Sequence, residues 1–240
     1  MLSLHRTDSI LTVDTIQLYD SVSQILEAKI PKSDVPDVYR RIARLYDLWA
    51  LLTESKARIR CLDLADVHDG ETVLEVAVGT GLLFADIVEK NPSGRNVGID
   101  LTKAMLERAR ARIVKSGATN VSLSIGDAYA LDCADQAFDL VVNTYMFDLL
   151  PEQDFADILA EFRRVLKPGG RVVLANMTKP DRWCQAFWEW LYTINPRLMG
   201  GCRGVLLQPY LCSAGFVEVR HETLSQLGFP SELLIGIRPM

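Results

Sequence analysis

The chain has 240 residues, of which 49% are hydrophobic, and its formal net charge is -5. This length suits one α/β domain with a short appendage and allows a sizeable buried core. The mild acidity gives no electrostatic reason to expect nucleic-acid binding. No apolar run is long enough to form a membrane-spanning helix.

Cysteine usage argues against both a disulfide framework and a zinc site. The cysteines are odd in number, widely spaced and free of any C-x-x-C pair; they are Cys61, Cys133, Cys184, Cys202 and Cys212. The N-terminus carries scattered charges where a signal peptide would have an apolar block. We therefore predict a cytoplasmic protein without a metal.

The first quarter of the chain has a helical pattern. Apolar residues such as Ile16, Tyr19, Val22 and Leu26 recur at helical spacing. We predict an N-terminal helical cap over residues 1–65 that contributes to a substrate pocket. The remaining residues, 66–240, would form the main domain.

A glycine turn follows, in the segment from Val73 to Phe84, VLEVAVGTGLLF. Its first half is apolar and rich in β-branched residues, which indicates a strand buried on both faces. Gly79, Thr80 and Gly81 allow a tight turn and a close approach of the backbone to a ligand. Helical spacing begins at Leu82, so the free N–H groups of a helix start would face the crevice.

After this turn, strands and helices alternate. Strands are predicted at 96–100, 120–125, 138–143 and 171–175, and a terminal hairpin at 216–221 and 233–238. Alternation of this kind favours a doubly wound, mostly parallel sheet, here seven-stranded, with helices on both faces.

In such sheets ligands bind beyond the carboxyl ends of the strands, so the residues that follow each strand belong together. Asp100 stands where an acidic residue would accept the hydrogen bonds of a ribose diol. Asp127 could accept from an adenine amino group while the Ala128 N–H meets a ring nitrogen. A helix cap for Asp100 and an Asx turn for Asp127 remain the alternatives.

Two residues argue against a dinucleotide as the ligand. Phe84 occupies the place of the third glycine of the dinucleotide fingerprint. Glu75 precedes the turn, where a carboxylate is unfavourable beside a pyrophosphate but suits an ammonium or sulfonium group. A cationic ligand is therefore favoured.

These motifs resemble those of the Rossmann-like class I S-adenosylmethionine-dependent methyltransferases, whose first motif is E/D-x-x-x-G-x-G. Glu75, Gly79 and Gly81 match it, and Ala77 replaces a glycine often found there. The resemblance covers roughly 69–175 and includes the string RVLKPGG that ends at Gly170. Within the superfamily the chain is most similar to the ubiquinone/menaquinone-biosynthesis C-methyltransferases, through Tyr46-Asp47, Met105-Leu106 and VLKPGGR.

The resemblance implies a cofactor and a set of contacts. The cofactor would be S-adenosyl-L-methionine, with S-adenosyl-L-homocysteine as its product. Cofactor contacts are expected from Glu75, Ala77, Gly79, Thr80, Gly81, Asp100, Leu101, Met105, Asp127, Ala128, Asn143 and Tyr145.

The acceptor pocket is expected between the N-terminal helices and the region after 176. Its candidate residues are mostly aromatic: Tyr39, Tyr46, Trp49, Phe147, Asp148 and Phe187. Asp148 is the best-placed candidate base, although a solvated loop aspartate is the favoured interpretation. Packing of helices explains at least half of the aromatic residues equally well.

The predicted function is methyl transfer to a small, largely apolar acceptor, on carbon or oxygen. One alternative is N-methylation of a phospholipid or amine at a membrane surface, suggested by Arg40, Arg41 and Arg44. Thiol or arsenite S-methylation, a non-catalytic cofactor-binding protein and, ranked lowest, an NAD-linked oxidoreductase are the others. The sequence predicts neither the acceptor nor the oligomeric state.

Overall fold

The structure is a computed structural model that describes residues 26–29, 34, 37, 40, 47–179, 183–194 and 201–240. A helical segment at 47–53 leads through Glu54 into α1 (Ser55–Ala65). Most of the predicted cap therefore lies outside the described residues, and the division at residue 65 stays a prediction. Across the described ranges, no helix is both long and apolar enough to cross a bilayer.

Strands and helices alternate through the main domain as the hydrophobic pattern predicts. They are β1 (Thr72–Val76), α2 (Leu82–Lys90), β2 (Arg95–Asp100), α3 (Lys103–Ser116), β3 (Val121–Ile125), β4 (Phe138–Thr144), α4 (Phe155–Val165), β5 (Leu166–Met177), α5 (Trp183–Ile194), α6 (Gln208–Ser213), β6 (Val217–Gln226) and β7 (Phe229–Ile237). Short 3₁₀ turns at Phe147–Leu149 and Glu152–Asp154 precede α4.

The strands form one seven-stranded sheet in the order β3-β2-β1-β4-β5-β7-β6. The first five are parallel, and β7 runs antiparallel between β5 and β6. The doubly wound, mostly parallel fold predicted from the alternation is confirmed. The order reverses between β1 and β4, which is where such sheets open a crevice for a ligand.

The predicted C-terminal hairpin is confirmed and is longer than its pattern indicated. Its two-residue turn is Leu227-Gly228, with φ values of 49° and 78°, as the primed hairpin turns require. β6 is an edge strand and is partly exposed, so it contains many polar residues. The hydrophobic pattern therefore indicated a shorter strand than the structure contains.

The RVLKPGG string spans the end of α4, at Arg164 and Val165, and the beginning of β5, where it interrupts the pairing of β5 with β4. Leu166 pairs with Phe138 and Arg171 with Leu140, so residues 167–170 bulge out of register. Gly169, with φ of 75°, allows that excursion. The sharp turn predicted at this point is therefore embedded in a single strand.

Apolar layers cover both faces of the sheet. On one face, β4 and β5 pack against α4, where the Phe147 ring lies edge-on to Phe155 at 5.3 Å and to Phe162 at 5.9 Å. On the other, Leu140 and Val173 pack against α1 and α2. Burial on both faces holds the carboxyl ends of the strands in place beneath the crevice.

Candidate functional site

The glycine turn begins the site. Gly79 and Gly81 have φ values of 55° and 77°, and Gly81 caps α2. A Cβ at Gly81 would lie 3.0 Å from the Cα of Ala109, because the turn packs directly onto α3. The backbone favours glycine at both positions, the contact with Ala109 leaves no room for a side chain at Gly81, and the first free N–H groups of α2 lie beside the crevice.

Two residues that are not glycine also adopt the left-handed backbone conformation at the carboxyl ends of the strands. Ala77, just after β1, has φ of 58°, and Tyr145, just after β4, has φ of 52°. Each such conformation costs about 1–2 kcal/mol for a residue with a Cβ. The strain at Ala77 explains why related motifs place a glycine here.

Asp100, at the end of β2, joins the turn to the neighbouring loop. Its Oδ2 accepts from the Gly79 N–H at 2.8 Å, and its Oδ1 accepts from the Thr102 N–H at 2.7 Å. Burial raises the pKa of this carboxyl, and the two N–H donors oppose the rise. The side chain is thus fixed with its carboxylate at the crevice.

A cleft opens along the carboxyl ends of the strands, where sheets of this kind bind their ligands. Its walls are mostly apolar, with a few polar groups. They comprise Val76, Ala77, Gly79, Asp100, Leu101, Thr102, Met105, Gly126, Asp127, Ala128, Tyr129, Thr144, Tyr145, Met146, Leu149 and Leu150.

A second cavity shares Ala77, Gly79, Thr144 and Tyr145 with the cleft. Two buried carboxylates line it, Glu75 from β1 and Glu54 from the bend before α1; its other lining residues are Ala50, Arg58, Val78, Thr80, Leu82 and Leu83. Because they share lining residues, the cleft and the second cavity adjoin each other at the glycine turn.

Glu75 makes the second cavity suitable for a cation. Its side chain is buried, and Oε2 has no hydrogen-bond partner among the described residues. Burial, reinforced by Asp86 and Asp100, raises its pKa well above the usual value, against the opposing charge of Arg58. A positively charged group in this cavity would satisfy that oxygen, so the donor set fits a sulfonium or ammonium ligand.

The structure brings most of the predicted cofactor residues to these two walls. The cleft is lined by Ala77, Gly79, Asp100, Leu101, Met105, Asp127, Ala128 and Tyr145, and the second cavity adds Glu75 and Thr80. Gly81 and Asn143 line neither. Asn143 is buried, and its Nδ2 donates to the Val76 carbonyl at 2.8 Å, so it ties β4 to β1 beneath the crevice.

The segment at Phe147 and Asp148 differs from the expectation. Both side chains are fully buried and line neither cavity, and Asp148 is not a solvated loop residue. The 3₁₀ turn points them into the core, where Oδ2 of Asp148 accepts from the Met177 N–H at 3.3 Å. Burial raises the pKa of Asp148 to about 7. Its enclosure removes it as a candidate base.

The aromatic candidates divide into three groups. Tyr39 and Tyr46 lie outside the described residues. Trp49 packs edge-on against Trp188 at 5.8 Å and against Phe229 at 6.1 Å, as the packing interpretation expects. Phe187 is 52% exposed on α5 and lines neither cavity.

Sequence reasoning missed several side chains of these walls, among them Glu54 and Tyr129. Glu54 is 5% exposed, and its Oε1 accepts from the Trp49 indole N–H at 3.1 Å. Tyr129 lines the cleft while its hydroxyl donates to Asp154 at 2.5 Å. Tyr129 directly follows Asp127 and Ala128, which were predicted to contact the cofactor, so its place in the sequence could have identified it as a wall residue. Nothing in the sequence around Glu54 indicates the site, because the other residues of the cavity wall come from segments far away in the chain.

Comparisons with known proteins agree with this geometry. A family described as "Methyltransferase domain" matches residues 73–170. A demethylmenaquinone methyltransferase of Lactobacillus johnsonii is 32% identical over 182 residues, which cover 73% of this chain and 74% of the relative. A nocamycin O-methyltransferase of Saccharothrix syringae is 29% identical over 227 residues, covering 83% and 79% of the two chains.

A solved structure shares the fold. The phosphoethanolamine N-methyltransferase 2 of Haemonchus contortus, in complex with S-adenosyl-L-methionine, aligns with a TM-score of 0.61 at 15% identity, covering 77% of this chain and 53% of that one. Seven strands in this order, a glycine turn beside acidic strand ends and the extent of the sequence match lead to one conclusion. The chain belongs to the class I S-adenosylmethionine-dependent methyltransferases, and S-adenosyl-L-methionine is its methyl donor.

Proposed function

We propose that the cleft and the second cavity together hold S-adenosyl-L-methionine. Asp100 would bind the ribose, while Asp127 and Ala128 would recognise the adenine between Leu101 and Met105. The carboxylate of Glu75 would face the ammonium end of the cofactor. The observation that carries this assignment is the buried Glu75 Oε2, which lacks a partner among the described residues and lies beside the glycine turn.

In this proposal the protein aligns the two reactants and excludes water, and it forms no covalent intermediate with the substrate. When bound, the cofactor supplies an electrophilic methyl carbon attached to a sulfonium. Gly79 and Tyr145 line both spaces and would hold the reacting groups in line. Met146, Leu149 and Leu150 would exclude water from the acceptor side of the cleft.

We propose that the acceptor is a small, largely apolar molecule methylated on carbon or oxygen. The apolar wall of the cleft supports this, because it offers few polar groups for a charged acceptor. The names of the relatives point the same way, since one acts on demethylmenaquinone and another is a nocamycin O-methyltransferase. A reduced quinone, whose ring carries hydroxyl groups, combines both features.

Such an acceptor loses a proton as it gains the methyl group. We assign the proton acceptor to Glu54, a buried carboxylate in the cavity wall that also contains Tyr145. The proton of the phenol or of the acidic carbon would move to Glu54 and then to water. The hydrogen bond from the Trp49 indole would hold the carboxylate in place.

The membrane-surface alternative gains no support from the described residues. Arg40 pairs with Asp37 at 3.1 Å, and Arg41 and Arg44 lie outside the described part of the chain. We also place the protein in a reducing cytosol. The four cysteines whose side chains the structure describes, Cys61, Cys133, Cys202 and Cys212, are free thiols.

The test is turnover with a defined acceptor. The purified protein is incubated with S-adenosyl-L-methionine and a reduced demethylmenaquinone that carries a short prenyl chain. Mass spectrometry should show a product heavier by one methylene unit, with S-adenosyl-L-homocysteine in equal amount. The Glu54→Gln variant, assayed at saturating S-adenosyl-L-methionine, should lose at least about 100-fold in kcat. Normal cofactor binding by the wild type without methylation of this acceptor would reject the proposed acceptor class.

A further inference from the structure

A three-residue cluster at the back of the second cavity connects the N-terminal helical segment to the glycine turn. Asp47 opens the described segment at 47–53, Thr80 is the central residue of the turn, and Arg112 lies on α3. We call Asp47, Thr80 and Arg112 the turn latch. No function described above uses the Asp47 or Arg112 side chain.

The turn latch is a closed ring of hydrogen bonds. The Thr80 hydroxyl donates to Oδ1 of Asp47 at 2.6 Å, and Nη2 of Arg112 donates to Oδ2 of the same carboxylate at 2.7 Å. Nε of Arg112 also donates to the Thr80 carbonyl at 3.1 Å. Both the backbone and the side chain of Thr80 are therefore held from outside the turn.

The position of Thr80 makes these bonds consequential. It lies between Gly79 and Gly81, whose φ values are 55° and 77°. Because glycine has no side chain to restrict its backbone, contacts with neighbouring groups must hold the turn in this conformation. Asp100 holds one side through the Gly79 N–H, and the turn latch holds the other through Thr80. Thr80 is 2% exposed, whereas Asp47 and Arg112 remain about one-third exposed.

We propose that Asp47 is a positioning residue for the cofactor. It fixes the glycine turn in its binding conformation, and it thereby ties the N-terminal helical segment to cofactor occupancy. The ligand concerned is the amino-acid end of the cofactor, which lies against Thr80 if the cofactor binds as proposed above. By linkage, a ligand that favours the ordered turn also favours docking of the segment at 47–53.

The test measures S-adenosyl-L-homocysteine binding by calorimetry and needs no acceptor. Asp47→Ala and Thr80→Val should each weaken the affinity by about 5- to 10-fold. The double variant should be no weaker than either single variant, because both changes break one unit. Thr80→Ser keeps the hydroxyl and should restore most of the affinity.

Asp139→Ala is the matched control. Asp139 is about one-third exposed, as Asp47 is, and pairs with Lys167 at 2.8 Å; it also accepts from the Thr72 N–H at the start of β1, at the amino ends of the strands. It should change the affinity by less than about 2-fold. Equal weakening by Asp139→Ala, or additive losses in the double variant, would show a general effect on folding and overturn the proposal.

Hydrogen exchange provides a second readout that a purely structural role would not move. Saturating S-adenosyl-L-homocysteine should slow exchange of the amides of residues 48–54 in the wild type. In Asp47→Ala this slowing should disappear, while slowing at residues 79–81 persists. Unchanged slowing at 48–54 in the variant would overturn the coupling. If Asp47→Ala, Thr80→Val and Asp100→Ala all left the affinity unchanged, the proposed placement of the cofactor would be wrong. If only Asp100→Ala weakened binding, the placement would stand and the role of the turn latch would be rejected.

Discussion

The N–H of Gly79 lies 2.8 Å from Oδ2 of Asp100, so the carboxylate assigned to the ribose also holds the glycine turn. One side chain thus contributes to ligand binding and to the shape of the site. Replacing it by alanine removes both contributions, whereas asparagine keeps an acceptor oxygen and loses the charge.

We expect Asp100→Ala to weaken S-adenosyl-L-homocysteine binding by at least about 100-fold, and Asp100→Asn by about 10-fold, because hydrogen bonds to charged groups contribute more than neutral ones. Isothermal titration calorimetry measures both values. Asp63→Asn, an exposed aspartate on α1, serves as the control. Equal affinities for the two Asp100 variants would contradict the double role.

Binding of the cofactor product should release a proton through Glu75. Burial raises the pKa of this carboxyl well above its usual value in the free protein, and a bound ammonium would lower it again by favouring the charged form. Affinity should therefore increase as the pH rises towards neutrality. Calorimetry in buffers of different ionisation enthalpy measures the number of protons released.

Glu75→Gln should abolish this proton release and weaken binding by about 10-fold. The exposed Glu89→Gln serves as the control. Proton release of equal size in Glu75→Gln would show that another group titrates. Because both S-adenosyl-L-methionine and S-adenosyl-L-homocysteine carry the ammonium, their affinities should fall together. A loss confined to the former would instead place Glu75 against the sulfonium.

The stability of the protein should depend on pH through Asp148. Burial raises its pKa from 3.8 to about 7, so the folded state holds a proton that the unfolded state releases. Its contribution to stability is therefore complete below about pH 4 and is lost as the pH rises to about 7, by up to about 4 kcal/mol. Denaturant unfolding at several pH values measures it.

Asp148→Asn keeps the shape and the oxygen that accepts from Met177, without the ionisation. Relative to the wild type, this variant should gain stability steadily between about pH 4 and pH 7. Asp157→Asn, an exposed change on α4, should show no such trend. A constant difference between wild type and Asp148→Asn across this range would contradict the assignment.

Glycine at position 77 should relieve backbone strain. Ala77 has φ of 58°, and we expect Ala77→Gly to stabilise the protein by about 0.5–1 kcal/mol after the added flexibility of the unfolded chain is counted. Ala85→Gly, the same chemical change inside α2, should destabilise it by about 1 kcal/mol. Chemical unfolding of the two variants measures both effects, and equal signs would refute the assignment of strain.

The sequence was sufficient where the signal is local. A buried strand, two glycines and a helical pattern lie within twelve residues, so the turn from Val73 to Phe84 was predictable. Asp100 and Asp127 follow their strands directly, and the parallel sheet brings them to the same edge.

Prediction failed where the environment of a side chain depends on distant segments. Asp148 follows a strand, as Asp100 does, but a single 3₁₀ turn points it into the core instead of the cleft. Glu54 looks like an ordinary surface carboxylate in the sequence, and only the fold brings it into a cavity wall with Tyr145. No periodicity in one segment reports such packing, because it arises between segments far apart in the chain.

Ala77 and Tyr145 occupy left-handed backbones at the ends of adjacent strands, and both line the two cavities. A directed-evolution experiment that rewarded heat resistance alone should therefore accept glycine at position 77 early but keep Tyr145, because its buried ring packs against Phe229 and its hydroxyl bonds to Ser231. The resulting enzymes would survive heating better and keep their turnover, since glycine adopts the same left-handed backbone without the strain.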